Sequence, residues 1–356
     1  GGNGVLSAKD VLASPADGHT LLFAAAAFTV MAQALQQAKP PYDVTRDLAP
    51  VAQVGAGGIY LVTSADFPAS NMKQFVAHVK ANPKDTESLY YLGAAHGALG
   101  GYEATMARAF FAALRNGSKA VDLHEKVLKL DPTFADAYLT IGLYHYVVGS
   151  LPFAVKIAAA MGGVRGSKRT GLSEIERAAK SGVRVGDDAR VMLVGLYARE
   201  GRLEDSIAVL RELKSKYPSN YIVALEEANT LVKLKRFDDS YAAFATVSEN
   251  PRASLEARDF LEYSHGEALR LGGRYDRALS RLALVWTWKG ADADLVTLAR
   301  LSAGQCHDAL KQRQDALAQY RMVIRRADVL DSRKRAEQLT KTPYSPSLPM
   351  ASTGQL

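Results

Sequence analysis

A small residue returns at Ser206, Ser240, Ala278 and Ala316, at intervals of 34, 38 and 38 residues, and the chain around it repeats as well. A short turn precedes each one: Glu200-Gly201-Arg202, Lys235-Arg236-Phe237-Asp238, Gly272-Gly273-Arg274-Tyr275-Asp276 and Lys311-Gln312-Arg313-Gln314-Asp315. The clearest unit is 187–218. Leu193, Leu196 and Tyr197 keep helical spacing before its turn, and Ile207, Leu210 and Leu213 keep it after. Glu204 and Asp205 open the second helix, Lys214 and Lys216 close it, and Pro218 stops it, so charge follows the helix dipole at both ends. A lone helix pair of this size cannot bury its apolar face, and a fixed period predicts pairs stacked in series. Earlier in the chain, Lys129-Leu130-Asp131-Pro132 reads as the end of such a unit. Ala135-Asp136-Ala137-Tyr138-Leu139 with Gly142 reads as the first helix of the next.

Tyr197, Gly201, Ser206 and Pro218 resemble the first-helix aromatic, turn glycine, small second-helix residue and closing proline of tetratricopeptide (TPR) repeats. The resemblance implies a mainly α fold, an α-solenoid of about six helical pairs. Two irregular pairs fit within 87–182, stretched by insertions around 100–118 and 148–170, and four near-regular ones fit within 183–330. Residues 342–356 are rich in Pro, Ser and Thr and read as a disordered tail.

Residues 1–84 follow another pattern. Helices are expected at Val5–Ser14, at Phe28–Gln37 and from an Asn71 cap to about Ala81, ahead of Pro83. Strands are expected at Thr20–Ala25, Val51–Val54 and Ile59–Thr63, with turns at Asp17-Gly18, Pro40–Asp43 and Gly55–Gly58. Alternation of this kind predicts an α/β lobe. Gly1-Gly2-Asn3-Gly4, Ser14-Pro15-Ala16-Asp17-Gly18-His19-Thr20-Leu21-Leu22, Pro41-Tyr42-Asp43, Asp47–Ala52 and Phe67-Pro68-Ala69 resemble the solute-binding receptors of tripartite tricarboxylate transporters (the Bug family), with the similarity ending at Lys80-Ala81-Asn82-Pro83. The resemblance implies part of a periplasmic-binding-protein-like lobe, a small carboxylate as ligand near Gly2, Asn3 and Gly4, and a location in the cell envelope or periplasm. Helical repeats stand where the second receptor lobe is expected. Gly93-Ala94-Ala95-His96-Gly97 loosely resembles a further ligand loop of that family, but Leu89, Leu92 and His96 keep helical spacing and favour a repeat helix. The first residue is not Met and no basic leader precedes Val5, so the sequence reads as a fragment or a mature piece of a longer chain.

Composition narrows the function further. No apolar run approaches the ~18 residues of a membrane span. The net charge of +7 is spread over repeats that also carry Asp and Glu, which argues against nucleic acid as partner. Its densest cluster, Arg325-Arg326 with Arg333-Lys334-Arg335, is expected to close the last helix. Cys306 is the only cysteine, leaving no intramolecular disulfide and no cysteine-built metal site. His96, His145 and His307 fall at the aromatic position of first helices, and Tyr144-His145-Tyr146 spreads over different helix faces. No HExxH, GxxxxGK[ST] or GxSxG motif occurs, and Gly162–Lys168 resembles a phosphate loop by composition alone. No metal, cofactor or catalytic residue is therefore expected.

The remaining candidate is the concave groove lined by the first helices. Aligned by the small residue, Val191, Leu225, Tyr263 and Leu301 share one position. Gly195, Asn229, Glu267 and Gln305 share the next, and Ala198, Val232, Arg270 and Asp308 the one a turn on, with Arg199 and Lys233 beside them. Asn229, Lys233, Tyr263, Glu267, Arg270, Gln305 and Asp308 offer an aromatic ring, amides and both charges, as suits a protein or peptide partner. The expected function is a non-catalytic scaffold for such a partner. The alternatives are a periplasmic receptor for small carboxylates and a fusion in which 1–84 is a non-functional relic.

Overall fold

In this computed structural model, residues 11–15, 20, 22, 66–161, 163–251, 253 and 257–346 are described. The strands expected between Thr20 and Thr63, the helix at Phe28–Gln37 and most of that at Val5–Ser14 lie outside these residues; Val11–Ala13 are helical. Among the described residues the fold is helical and contains no strand. The chain divides into two compact units, Gly1–Leu193 and Val194–Leu356.

In the first unit, α1 (Met72–Ala81) begins where expected, with the Asn71 side chain accepting the Gln74 amide at 3.0 Å. Asp85 caps α2 (Thr86–Thr105) through the Ser88 amide. Residues 93–97 lie inside α2, as the helical reading of that stretch expects. α2 packs along α3 (Phe110–Leu130), and α3 packs on α4 (Ala137–Ser150). The insertion expected around 100–118 is thus built as longer helices with a turn at 106–109. The second insertion holds a helix of its own, α5 (Phe153–Met161), before α6 (Lys168–Ser181) returns against α4. Phe75 and Val79 of α1 share a core with Leu89, Tyr90, Val127 and Phe134. The last helix of the receptor-like segment is therefore part of the packing of the first helical pair.

Asp136 holds the far end of this unit. Its buried carboxylate accepts the amides of Arg184 at 2.8 Å and Val185 at 2.9 Å, 48 and 49 residues away in sequence. The Arg184 guanidinium lies over the Phe134 ring and pairs with Glu87 at 2.6 Å.

The division between units falls within α7 (Gly186–Arg199). The second unit continues with α8 (Leu203–Lys216), α9 (Tyr221–Lys233), α10 (Phe237–Ser248), α11 (Arg258–Leu271), α12 (Tyr275–Thr287), α13 (Ala293–Ala309), α14 (Arg313–Ile324) and α15 (Ser332–Lys341). α9 packs on α10, α11 on α12 and α13 on α14, and each second helix packs on the first helix of the next pair. The four turns have one geometry. Gly201, Lys235, Gly273 and Lys311 take φ of 74°, 59°, 76° and 62°. The following amide bonds five residues back each time, Arg202 to Tyr197, Arg236 to Leu231, Arg274 to Leu269 and Gln312 to His307, at 2.8–2.9 Å. A left-handed residue suits glycine and strains a lysine. Lys311→Gly and Lys235→Gly are each expected to raise stability by ~0.5–1 kcal/mol, read as a higher urea midpoint.

The small residue that sets the period is buried in every repeat. Ser206 and Ser240 donate to the carbonyls of Val194 and Ala228, twelve residues back. Only a short side chain lets the two helices approach so closely. The opposite helix narrows in step: a Cβ on Gly266 would meet Leu282 Cγ at 2.7 Å, and one on Gly304 would meet the Tyr320 ring. The core of Leu225, Phe244, Leu261, Leu269, Leu282 and Val285 fills the space between.

Where Leu193 sits in the first regular repeat, the third carries His265. It is 3% exposed, stacks on Phe244 at 5.1 Å, and has no hydrogen-bond partner at either ring nitrogen. Burial, with Arg281 and Arg277 nearby, lowers its pKa to about 4. A depressed histidine favours the fold above its ordinary pKa and opposes it as pH falls through the window from 6.5 to about 4. Between pH 7 and pH 5 it is expected to remove about 2 kcal/mol of stability. Urea midpoints of His265→Leu should lack that part of the pH slope.

Two expectations need correction. Arg333-Lys334-Arg335 do not close the last helix of the repeats; α14 ends at Ile324, and these residues open α15, where cations oppose the dipole. Compensation comes from local bonds: the Arg333 amide donates to Asp328 at 3.0 Å and its guanidinium to the Arg326 carbonyl at 2.8 Å. Residues 342–346, expected to begin a disordered tail, are placed against the repeats, as described next; 347–356 lie outside the described residues.

Candidate functional site: the inner groove of the last repeats

The predicted groove residues fall on α9, α11 and α13 of the second unit. They separate into two groups. Asn229 is partly buried and Lys233 exposed, with Lys233 Nζ 4.0 Å from Glu226; both lie on α9 outside the network below. Glu267, Arg270 and Asp308 are linked through Tyr344, with Tyr263 near the Glu267–Arg270 pair and Gln305 buried on α13.

Arg270 is 4% exposed and Gln305 is 1% exposed, far from the solvated groove residues their sequence positions imply. Arg270 makes a two-pronged pair with Glu267, Nε to Oε1 and Nη2 to Oε2, both at 2.9 Å. Burial works against the charge on each, and their mutual attraction more than offsets it: the Glu267 pKa is lowered and that of Arg270 raised. Arg335 of α15 adds positive potential near Glu267. The remaining Arg270 nitrogen, Nη1, donates to the Tyr344 hydroxyl at 3.4 Å.

Asp308 is the second anchor. Its carboxylate accepts Arg313 Nη1 at 2.9 and 3.1 Å, the Tyr320 hydroxyl at 2.8 Å and the Tyr344 amide at 2.9 Å. Arg313 also donates through Nη2 to the carbonyls of Leu339 and Thr340, which end α15. One arginine thus caps the last helix and fixes the carboxylate that receives the segment leaving it. That segment is extended: Thr342 has φ −124° and ψ 116°, as the residue ahead of Pro343 must.

Sequence reasoning located Glu267, Arg270 and Asp308 but not Tyr344, Arg313 or Tyr320. Tyr344 carries a weak signal, an aromatic between Pro343 and Pro346 in an otherwise small, polar stretch. The other candidates resolve into structure. Cys306 is buried, and burial pushes its thiol up to about 12; the neighbouring His307 turns its Nδ1 to Gln312 Oε1 at 2.7 Å, so the two form no dyad. His145 Nδ1 pairs with Glu174 at 2.7 Å, which raises its pKa, and His96 Nδ1 faces Asn116 at 3.0 Å. Among the described residues, no three His, Cys, Asp or Glu side chains converge as a metal ion requires, and no helix is long and apolar enough to cross a membrane. Gly2, Asn3 and Gly4 lie outside the described residues.

Comparison with known proteins follows the same division. Residues 1–98 match the tripartite tricarboxylate transporter family receptor, so the similarity runs past Pro83 and into α2. No curated protein matches the chain in sequence. Solved structures similar to the chain include the following three. YrrB, a TPR protein with an unusual peptide-binding site, has 15% identity and a TM-score of 0.40, over 60% of this chain and 91% of its own. PilF of Pseudomonas aeruginosa has 16% identity and a TM-score of 0.40, over 66% of this chain and 91% of its own. Yeast Tom70 has 14% identity and a TM-score of 0.38, over 76% and 57%. The chain is thus similar at its start to carboxylate-transporter receptors. Its helical pairs form a TPR-like repeat fold by their own period, turns and packing.

Proposed function

We propose that this chain is a non-catalytic repeat scaffold that holds an extended segment of a protein partner in the inner groove of its second unit. The pairs α2/α3, α4/α6, α7/α8, α9/α10, α11/α12 and α13/α14 are its repeats, with α15 as the closing helix. One observation supports the reading: an extended stretch of the chain at Tyr344 bonds through its main-chain amide to buried Asp308 and through its hydroxyl to buried Arg270. A carboxylate that takes a main-chain amide recognises any extended chain, while the arginine and the Tyr263 ring select among side chains. Asn229 and Lys233 continue the same face along α9.

Panning a random-peptide display library against the full chain tests this. Enriched peptides should bind the purified protein and lose at least about tenfold in affinity on Asn229→Ala, Lys233→Ala or Glu267→Gln. Absence of enrichment, or binding indifferent to all three substitutions, would contradict it.

The match over residues 1–98 favours a second reading, a receptor for small carboxylates. Against it, the matched stretch ends inside α2, and helical pairs follow where a receptor needs a second lobe to close over its ligand. A melting-temperature rise of the full chain with citrate or another di- or tricarboxylate would support this receptor reading.

A further inference from the structure

We infer that residues 342–346 are an internal ligand of the groove, and that the partner this scaffold receives is an extended segment presenting Pro-Tyr in the same place. The inference rests on the scaffold reading above and adds the occupant and its release. Three features of the segment resemble those of a ligand more than those of a structural clasp. Tyr344 anchors it at two points, the amide to Asp308 and the hydroxyl to Arg270, while Thr342 and Pro343 stay exposed. It is stiffened in advance, because Pro343 and Pro346 restrict the backbone on either side of the anchor and reduce the entropy lost on docking. Its approach is aimed, because Arg313 ties the end of α15 to the same carboxylate that receives Tyr344.

The side chains it meets are costly to leave bare. Arg270 is buried with two of its nitrogens on Glu267, and the third has the Tyr344 hydroxyl as acceptor. Asp308 is likewise buried and takes the Tyr344 amide in addition to Arg313 and Tyr320. An incoming segment that replaces Tyr344 must therefore supply an amide and a hydroxyl-bearing ring at the same separation. Tyrosine after proline meets this requirement. The tethered copy competes at an effective concentration of about millimolar, so the partner binds only when it outcompetes or displaces the strap.

The test uses the full chain and a fluorescein-labelled peptide of residues 340–346, Thr-Lys-Thr-Pro-Tyr-Ser-Pro, followed by fluorescence anisotropy. The Tyr344→Ala protein, whose own strap lacks the anchor, is expected to bind the peptide at least about tenfold more tightly than wild type. A peptide with Ala for Tyr should lose at least about tenfold on the same variant. Tyr344 follows the last helix, and far-ultraviolet circular dichroism checks that the helices are intact. Tyr344→Phe, which keeps the ring and the Asp308 bond, should give a smaller gain of about threefold, and it replaces Tyr344→Ala if that variant loses helical signal. Equal binding by wild type and variant, no binding by either, or equal binding of the Ala peptide would overturn the inference. Library peptides that bind through Asn229 and Lys233 equally well in wild type and Tyr344→Ala would leave the scaffold standing and remove the internal ligand.

Discussion

Asp308→Ala is expected to destabilise the second unit by about 3–5 kcal/mol, the range for removing one member of a buried, hydrogen-bonded charge network. The carboxylate satisfies Arg313, the Tyr320 hydroxyl and the Tyr344 amide together, and the alanine leaves all three without that acceptor. Tyr320 is fully buried against Gly304, so its hydroxyl has no water to turn to. Asp308→Asn keeps the shape and one acceptor oxygen and should cost less, about 1–2 kcal/mol. Urea unfolding of the two variants against wild type separates the loss of charge from the loss of the whole group. Equal stability of wild type and Asp308→Ala would mean that the cluster is not formed in solution.

In the first unit the largest effect is expected at Asp136. Its replacement by alanine removes the acceptor of the Arg184 and Val185 amides and a buried anion 3.6 Å from the Arg184 guanidinium. A loss of about 1–3 kcal/mol follows from two part-buried hydrogen bonds to a buried acceptor, at ~0.5–1.5 kcal/mol each. Glu87→Gln touches the same guanidinium from an exposed position and should cost under ~1 kcal/mol. Thermal melts of the two variants check the contrast. If both behave alike, Asp136 is not the group that ties residues 182–186 to the start of α4.

Much of the repeat architecture was legible because it is periodic and local. The small residue, the left-handed turn position and the apolar spacing each recur at 34, 38 and 38 residues, and each has a nearby structural cause. The cap at Asn71 is local in the same way. The candidate site was legible only in part. Position along the first helices identified Glu267, Arg270 and Asp308, since groove-facing positions follow from helix geometry. Their burial did not follow, because it depends on α15 and on Tyr344, 36 residues beyond Asp308. A stretch of Pro, Ser and Thr with one tyrosine reads as disorder by composition. Composition does not register that Arg313 aims that stretch at a buried carboxylate. The charge run at 333–335 misled for a related reason: cations suit a helix end, but Asp331 at φ 59° starts a new helix there.

The most direct test of the account is hydrogen exchange at the Tyr344 amide in the full chain, measured beside the free peptide of residues 340–346. A bond to buried Asp308 predicts exchange slowed by at least about tenfold relative to the peptide, and loss of that protection in Asp308→Ala. Exchange at the peptide's own rate in wild type would show that the segment does not occupy the groove. The observation on which the proposed function rests would then be gone.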